Sequence, residues 1–321
     1  MTGAVPFCAV ARLTALEAIR RPVFLLVALS SIGGILLLPL LLNYTLGDSA
    51  RIIRDSAVAF YFVGGLILAA MAAGETLTRE LRRGTAATIL AKPVSRSAFF
   101  LAKAAGLGAA LFLYAIAALA ATLLAVRAGA SDLQLDWTAA LPALGALLLA
   151  PALAGAWNHL TRRPFTSAAF LLLLLFLLLA LGIAAACPTP LAQQTFPSNF
   201  TWSVLPVGLL LFFCLGMAAA LAIALATRLQ TTPVLLLTAG CFLFGLMADY
   251  LLGPHLATSF PARAAYAILP NVQAFWLLDA LDVAGAIPLA YLGLAAAYAA
   301  TWSAACLALG TLSFQKLEIS A

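Results

Sequence analysis

Charge is scarce in this chain: its 321 residues include 17 Lys and Arg, 11 Asp and Glu, and two His. Charged residues make up 9% and hydrophobic residues 65%, against about 25% and 45–50% in an ordinary soluble domain. That balance excludes a water-soluble fold. The two histidines, His159 and His255, offer little to a histidine-based active site, and neither H-E-x-x-H nor G-x-S-x-G occurs. A G-x-x-x-x-G-K-[ST] phosphate loop is missing too, so a chemistry that consumes ATP needs another chain to bind it. The five cysteines, Cys8, Cys187, Cys214, Cys241 and Cys306, are scattered without C-x-x-C spacing, which argues against a zinc site or a disulfide framework. No catalytic, cofactor-binding or metal-ligating residue is expected in this chain.

What the chain has in quantity is apolar runs of about 20 residues, the length of a helix crossing a hydrocarbon core of roughly 30 Å. A membrane β-barrel would instead show alternating segments of about 10 residues. Eight runs can be marked, over 23–42, 57–74, 104–126, 138–157, 167–186, 204–226, 234–252 and 287–310. The fold class expected is therefore all-α, a polytopic membrane helical bundle of about eight spans, with six to eight as the range. Trp137 and Trp157 bracket the fourth run as interfacial anchors. Residues 253–286 read as an outer-face loop, whose Phe260, Tyr266, Phe275 and Trp276 favour short interfacial helices over plain coil.

Orientation follows from the excess of Lys and Arg expected on the cytoplasmic side. With the N-terminus inside, only Arg51, Arg54, Arg127 and Arg263 of the 17 basic residues fall outside. The expected topology is N-in and C-in. Pro39, Pro142, Pro151, Pro206 and Pro288 lie within runs, and Gly33, Gly34, Gly64, Gly65, Gly106 and Gly108 read as sites of close helix packing. The sequons at Asn43 and Asn199 read as chance occurrences. The cluster HLTRR at 159–163 reads as topogenic charge in preference to a second cytoplasmic contact with a partner chain.

Residues 80–96, ELRRGTAATILAKPVSR, place many of the rare charges together, in a cytoplasmic segment over 75–103 that joins the second and third runs. Gly84 ends the helix leaving the second span, Thr85 can cap a new one, and Pro93 stops it after about two turns. Ile89 and Leu90 give this short helix an apolar patch, flanked by Arg82, Arg83, Lys92 and Arg96.

These residues resemble the ABC-2 type transporter permeases, in a group similar to the multi-copper enzyme maturation permeases. The pattern of an acid, Gly-Thr, an apolar stretch, a Pro-Val-Ser-Arg turn and a following Lys is matched by Glu80, Gly84, Thr85, Leu90, Pro93, Val94, Ser95, Arg96 and Lys103. A second match is ALEAIRRPVF, where Glu17, Arg20 and Pro22 resemble the family's interfacial helix entering the first span, within an amphipathic segment over 1–22. The resemblance implies a single transmembrane permease domain over 1–321 in a bacterial inner membrane. It implies a homodimer or heterodimer of permeases resting on separate ABC ATPase subunits, where ATP-Mg would bind. It also implies export, with 81–92 as the coupling helix. Membrane lipid is an expected partner and nucleic acid is not.

Two rival readings stand against this one. A secondary transporter or channel without an ATPase partner would need an ionisable group near the midplane, and only Asp249, near the outer end of the seventh run, approaches that description. An intramembrane enzyme would need a catalytic group set that the residues do not supply.

Overall fold

In the computed structural model, the residues described are 4–42, 48–82, 95–130, 134–190, 193–257, 259–284 and 287–316. Among them the chain is helical, without strands. Twelve α-helices follow in order: α1 (Ala4–Ile19), α2 (Pro22–Leu41), α3 (Ser49–Arg82), α4 (Arg96–Ala128), α5 (Trp137–Thr161), α6 (Phe165–Ala186), α7 (Val204–Leu225), α8 (Thr231–Leu246), α9 (Ala248–Leu252), α10 (Phe260–Ile268), α11 (Leu278–Ala284) and α12 (Leu289–Gln315). Seven are long and apolar enough to cross a bilayer, namely α2 to α7 and α12. An eighth span arises if α8 and α9, bent by 65° at their junction, are counted together. The all-helical polytopic reading and its range of span numbers are borne out.

Four runs differ in their bounds from the sequence reading. The second and third runs are the middles of much longer helices, α3 with 34 residues and α4 with 33, because the flanking Ser, Arg and Ala residues continue the helical hydrogen bonding beyond the apolar stretch. Arg96 and Lys103 therefore lie inside α4. The seventh run is broken at Met247, so Asp249 sits in the short α9 beyond the bend. Pro288 precedes the last span, taking the N-cap position with extended backbone, where a missing N–H costs nothing. Residues 253–286 hold α10, α11 and two short 3-10 turns, in line with the aromatic pattern.

α1 also corrects an expectation. Its two charged residues, Arg12 and Glu17, are five positions apart and so project about 140° apart around the helix. The apolar Leu13 is exposed beside Arg12. The helix is apolar on most sides, and the amphipathic character expected over 1–22 is not found in it.

The contacts divide the chain into two compact units, one comprising residues 19–65 and 112–208, the other residues 1–18, 66–111 and 209–321. In the first unit, α2 packs on α5 and α6, with Phe24 edge-on to Phe170 at 5.2 Å. A polar thread runs through its core: the Tyr114 hydroxyl lies 3.1 Å from the Ser31 hydroxyl and donates to the Tyr61 carbonyl at 3.0 Å, and Tyr61 donates to the Gly208 carbonyl at 3.2 Å. These bonds join α2, α3, α4 and α7. Tyr114→Phe should lower stability by about 0.6–1.7 kcal/mol, the range found for side-chain hydrogen bonds inside membrane bundles. The unfolding midpoint in detergent would report that loss.

The same unit carries an arginine clamp. Arg127, 4% exposed, sits in the last turn of α4, where its Nε donates to Asp136 Oδ2 at 3.0 Å. Its Nη2 donates to Thr138 Oγ1 at 3.1 Å and to the Cys187 carbonyl at 2.9 Å, its Nη1 donates to the Ala184 carbonyl, and the guanidinium stands 5.1 Å from the Phe200 ring. Asp136 meanwhile caps α5 by accepting from the Thr138 N–H at 2.9 Å. Sequence reading left Arg127 as a loop charge; it is a buried tie between α4, α5 and the end of α6. Asn199 beside it is also buried and donates to the Ala185 and Cys187 carbonyls at 3.3 Å each, so its sequon is closed to modification in the fold.

Candidate coupling site

The region predicted to couple the chain to a partner lies between α3 and α4, and its described part belongs wholly to the second unit. α3 carries Glu80 and Arg82 in its last turn, for which the backbone alone is described. Arg83, Gly84, Thr85, Leu90, Lys92 and Pro93 lie outside the described residues, as does the short helix expected over most of 81–92.

On the far side of that gap, Ser95 caps α4 by accepting from the Ala98 N–H at 3.2 Å. The Ser in the Pro-Val-Ser-Arg turn is thus a helix start, satisfying one of the donors that a first turn leaves open. Arg96 follows, and its Nη1 donates to the Gln315 carbonyl at 3.2 Å, where α12 ends. A carbonyl at a helix C-terminus carries partial negative charge, so a guanidinium is a favourable partner there. One turn on, Phe99 and Phe100 lie 6.0 and 5.9 Å from the Phe314 ring. The first turns of α4 are thereby joined to the last turn of α12.

The same helix also receives α1. Lys103 is 2% exposed, with its Nζ 3.9 Å from Glu17 Oε2 and 5.5 Å from the Phe99 ring. A buried ammonium needs a counter-charge, and Glu17 supplies it from α1. Three residues later, Gly106 faces the backbone of α1: a Cβ there would run into the Ala11 carbonyl and lie 2.6 Å from Thr14 Cβ. The backbones approach closely because Gly106 has no side chain. The chain leaves the helix after Ile19 because Pro22 holds Arg21 before it in extended backbone, ψ 135°, and Pro22 opens α2 at a position where its missing N–H is harmless. Arg20 is exposed, and its carbonyl accepts from Thr166 Oγ1 at 2.6 Å.

The structure thus brings Glu17 to the base of α4, beside Lys103, and brings Arg96 to the end of α12. Sequence reasoning had both basic residues and Glu17, but not the pairing of Glu17 with Lys103, nor the partners of the first turns of α4: Gln315 and Phe314 are far along the chain and carry no motif. Gly106 was legible as a packing residue, though its neighbour was not.

The groups named for the rival readings are peripheral. Among the described residues no group of three or more His, Cys, Asp or Glu is placed to hold a metal, and His159 and His255 are both exposed. Asp249 is exposed and accepts from the Tyr266 hydroxyl at 2.6 Å. That hydrogen bond to a carboxylate, with burial adding to it, raises the Tyr266 pKa above its ordinary value. Arg162 of the HLTRR cluster ends α5 in the left-handed conformation, φ 59°, with its N–H donating to the Asn158 carbonyl.

Residues 19–156, from the end of α1 through most of α5, match the family model described as ABC-2 family transporter protein. The match spans the whole of the predicted coupling segment. Neither the curated proteins nor the solved structures contain a match.

Proposed function

We propose, from the ABC-2 transporter match over residues 19–156, that this chain is the membrane-spanning permease subunit of an ATP-driven ABC exporter. The observation that carries the reading is that this match coincides with the Gly84–Pro93 segment, a short helix design between two long spans in a chain without a phosphate loop. ATP-Mg would bind to a separate ABC ATPase subunit, and the permease would act as a homodimer or heterodimer in a bacterial inner membrane. Its charge asymmetry favours an N-in and C-in topology, which puts 75–103 on the ATPase side.

The mechanism proposed is mechanical. Closure of the ATPase pair on ATP displaces the 81–92 helix. Thr85 to Leu90 provide the docking surface, with Arg82, Arg83 and Lys92 guiding the approach. Displacement passes into α4 through its first turns, where Arg96, Phe99 and Phe100 hold the end of α12, and where Lys103 and Gly106 hold α1. Those contacts support treating α1, the base of α4 and the end of α12 as one lever.

Two substitutions test the docking role. Leu90→Asp should abolish transport and release the ATPase, because it puts a charge into an apolar contact, and Glu80→Ala should weaken both. Transport and complex stability unchanged in both variants would refute the docking role. A secondary transporter or channel without an ATPase is the second reading, and the exposed position of Asp249 gives it little support.

A further inference from the structure

An apolar slot of about 420 Å³ lies between the last two turns of α7 and those of α12, within the second unit. α7 and the turn after it contribute Leu221, Ala224, Leu225 and Arg228; α12 contributes Cys306, Leu309, Gly310 and Ser313. Both sets follow the spacing i, i+3, i+4, i+7, which places each on one face of a helix. Seven residues at 1.5 Å make the slot about 10 Å long. It therefore reaches from the helix ends well into the apolar stretch.

The two ends of the slot differ in chemistry. Leu221, Ala224, Leu225, Cys306 and Leu309 line the deeper part, while Thr227, Arg228 and Ser313, with Leu229 beside them, stand at the shallow end. Arg228 is held in place there: its Nε donates to Ser313 Oγ at 3.0 Å and its Nη2 to the Ser313 carbonyl at 3.2 Å. Thr227 Oγ1 fixes the same serine hydroxyl at 3.0 Å. These partners are neutral, and among the described residues no carboxylate lines the slot. A positioned positive charge at the mouth of a hydrocarbon-lined groove complements a ligand with an anion at one end and an alkyl chain at the other.

Gly310 shows why the slot forms here. A Cβ on it would lie 2.6 Å from Phe100 Cζ and 3.1 Å from Ala224 Cα, so α12 and α7 make close contact at this level and diverge beside it. α12 is also the least buried of the candidate spans, although Phe99, Phe100 and Phe242 pack on it, so the slot opens beside a helix much of whose surface this chain leaves uncovered.

We infer that this slot binds one acyl chain of an anionic bilayer phospholipid, with the phosphate of its headgroup at Arg228. A basic residue at the end of an interhelical pocket on the side rich in Lys and Arg is where an anionic headgroup gains most. A soluble phosphate would meet only Arg228, and a zwitterionic lipid would fill the slot with a weaker headgroup contact. The inference needs only a bilayer around α7 and α12. It stands apart from the ATPase reading.

The test is native mass spectrometry of the full chain, stripped of lipid in mild detergent and titrated with phosphatidylglycerol, phosphatidylcholine or glycerol 3-phosphate. The expected result is about tenfold tighter binding of phosphatidylglycerol than of phosphatidylcholine, equivalent to about 1.4 kcal/mol, with glycerol 3-phosphate not retained. Arg228→Gln should remove that preference and leave phosphatidylcholine binding unchanged, while Arg228→Lys should keep most of it. Cys306→Phe, which fills the slot without altering charge, should weaken both lipids, and it serves as the test if Arg228→Gln does not fold. Equal binding of the two lipids by the unaltered protein would overturn the inference. So would a preference that survives Arg228→Gln, binding of both lipids unweakened by Cys306→Phe, or retention of glycerol 3-phosphate as tightly as phosphatidylglycerol.

Discussion

Replacing Arg127 with Met should destabilise the folded protein by about 3–5 kcal/mol, the cost of leaving one member of a buried ion pair alone. Asp136 would keep its negative charge in a site 6% exposed, with the Thr138 N–H and hydroxyl as its remaining partners. The Ala184 and Cys187 carbonyls at the end of α6 would each lose one of two donors, keeping the Cys187 N–H and the Asn199 amide respectively. Replacing both charges is predicted to cost less than the sum of the single changes. Arg127→Met with Asp136→Asn keeps a side chain able to cap α5, and recovers most of the charge penalty. The unfolding midpoints of the two single variants and the double variant, combined in a double-mutant cycle, measure that coupling. A coupling near zero would mean that Asp136 is solvated rather than held by Arg127.

Gly106→Leu carries the second large effect, and it separates packing from docking. The new side chain would have to occupy the space of the Ala11 carbonyl and Thr14 Cβ. Overpacking of this kind costs about 1–3 kcal/mol when the structure yields around it. The easier element to displace is α1, tied at this flank by the 3.9 Å Glu17–Lys103 pair. Freed from α1, α4 would still present the 81–92 segment to an ATPase. The variant is therefore expected to retain its partner while transport falls about tenfold or more, equivalent to at least about 1.4 kcal/mol of coupling. Co-purification of the ATPase and transport, measured on one preparation, decide the point. Loss of the partner together with transport would assign Gly106 to docking instead of transmission. Gly108 makes the control: nothing lies within 4 Å of a Cβ there, so Gly108→Ala should leave stability and transport unchanged.

Much of the fold was legible because membrane spans are written in composition. A run of about 20 apolar residues has few other uses, and all but one of the eight marked runs correspond to single long helices. The exception, at Met247, has no proline at the bend; a Cβ on Gly245 would run into the Pro270 carbonyl and lie 2.8 Å from Val272 Cγ2, so a segment distant in the chain packs against the backbone there. Helix ends were harder to place. α3 and α4 extend past their apolar cores because helical hydrogen bonding persists where hydropathy has already fallen, and that placed Lys103 and Arg96 in a helix instead of a connection.

Buried charge was the least legible feature. Arg127 read as an outer-side loop charge and Lys103 as the Lys opening the third span, since a sequence shows that a base stands near a span end and not whether an acid waits beside it. Asp136 is nine residues from Arg127, while Glu17 is distant from Lys103 in the chain and became visible only when α1 was seen to lie against α4. The coupling segment is the reverse case. Its short-helix pattern of Gly, Thr, apolar residues and Pro is explicit in the sequence, and residues 83–94 lie outside those the structure describes.

The central claim is that this chain couples to a separate ATPase through the segment between α3 and α4. The most direct measurement is affinity purification of the tagged full chain in mild detergent, with the ATPase activity of the eluate compared between the unaltered protein and Leu90→Asp. The account predicts an ATP-hydrolysing subunit that co-purifies with the unaltered chain and is lost from the variant, while the variant itself remains folded and monodisperse. A monodisperse unaltered chain whose eluate hydrolyses no ATP would contradict it.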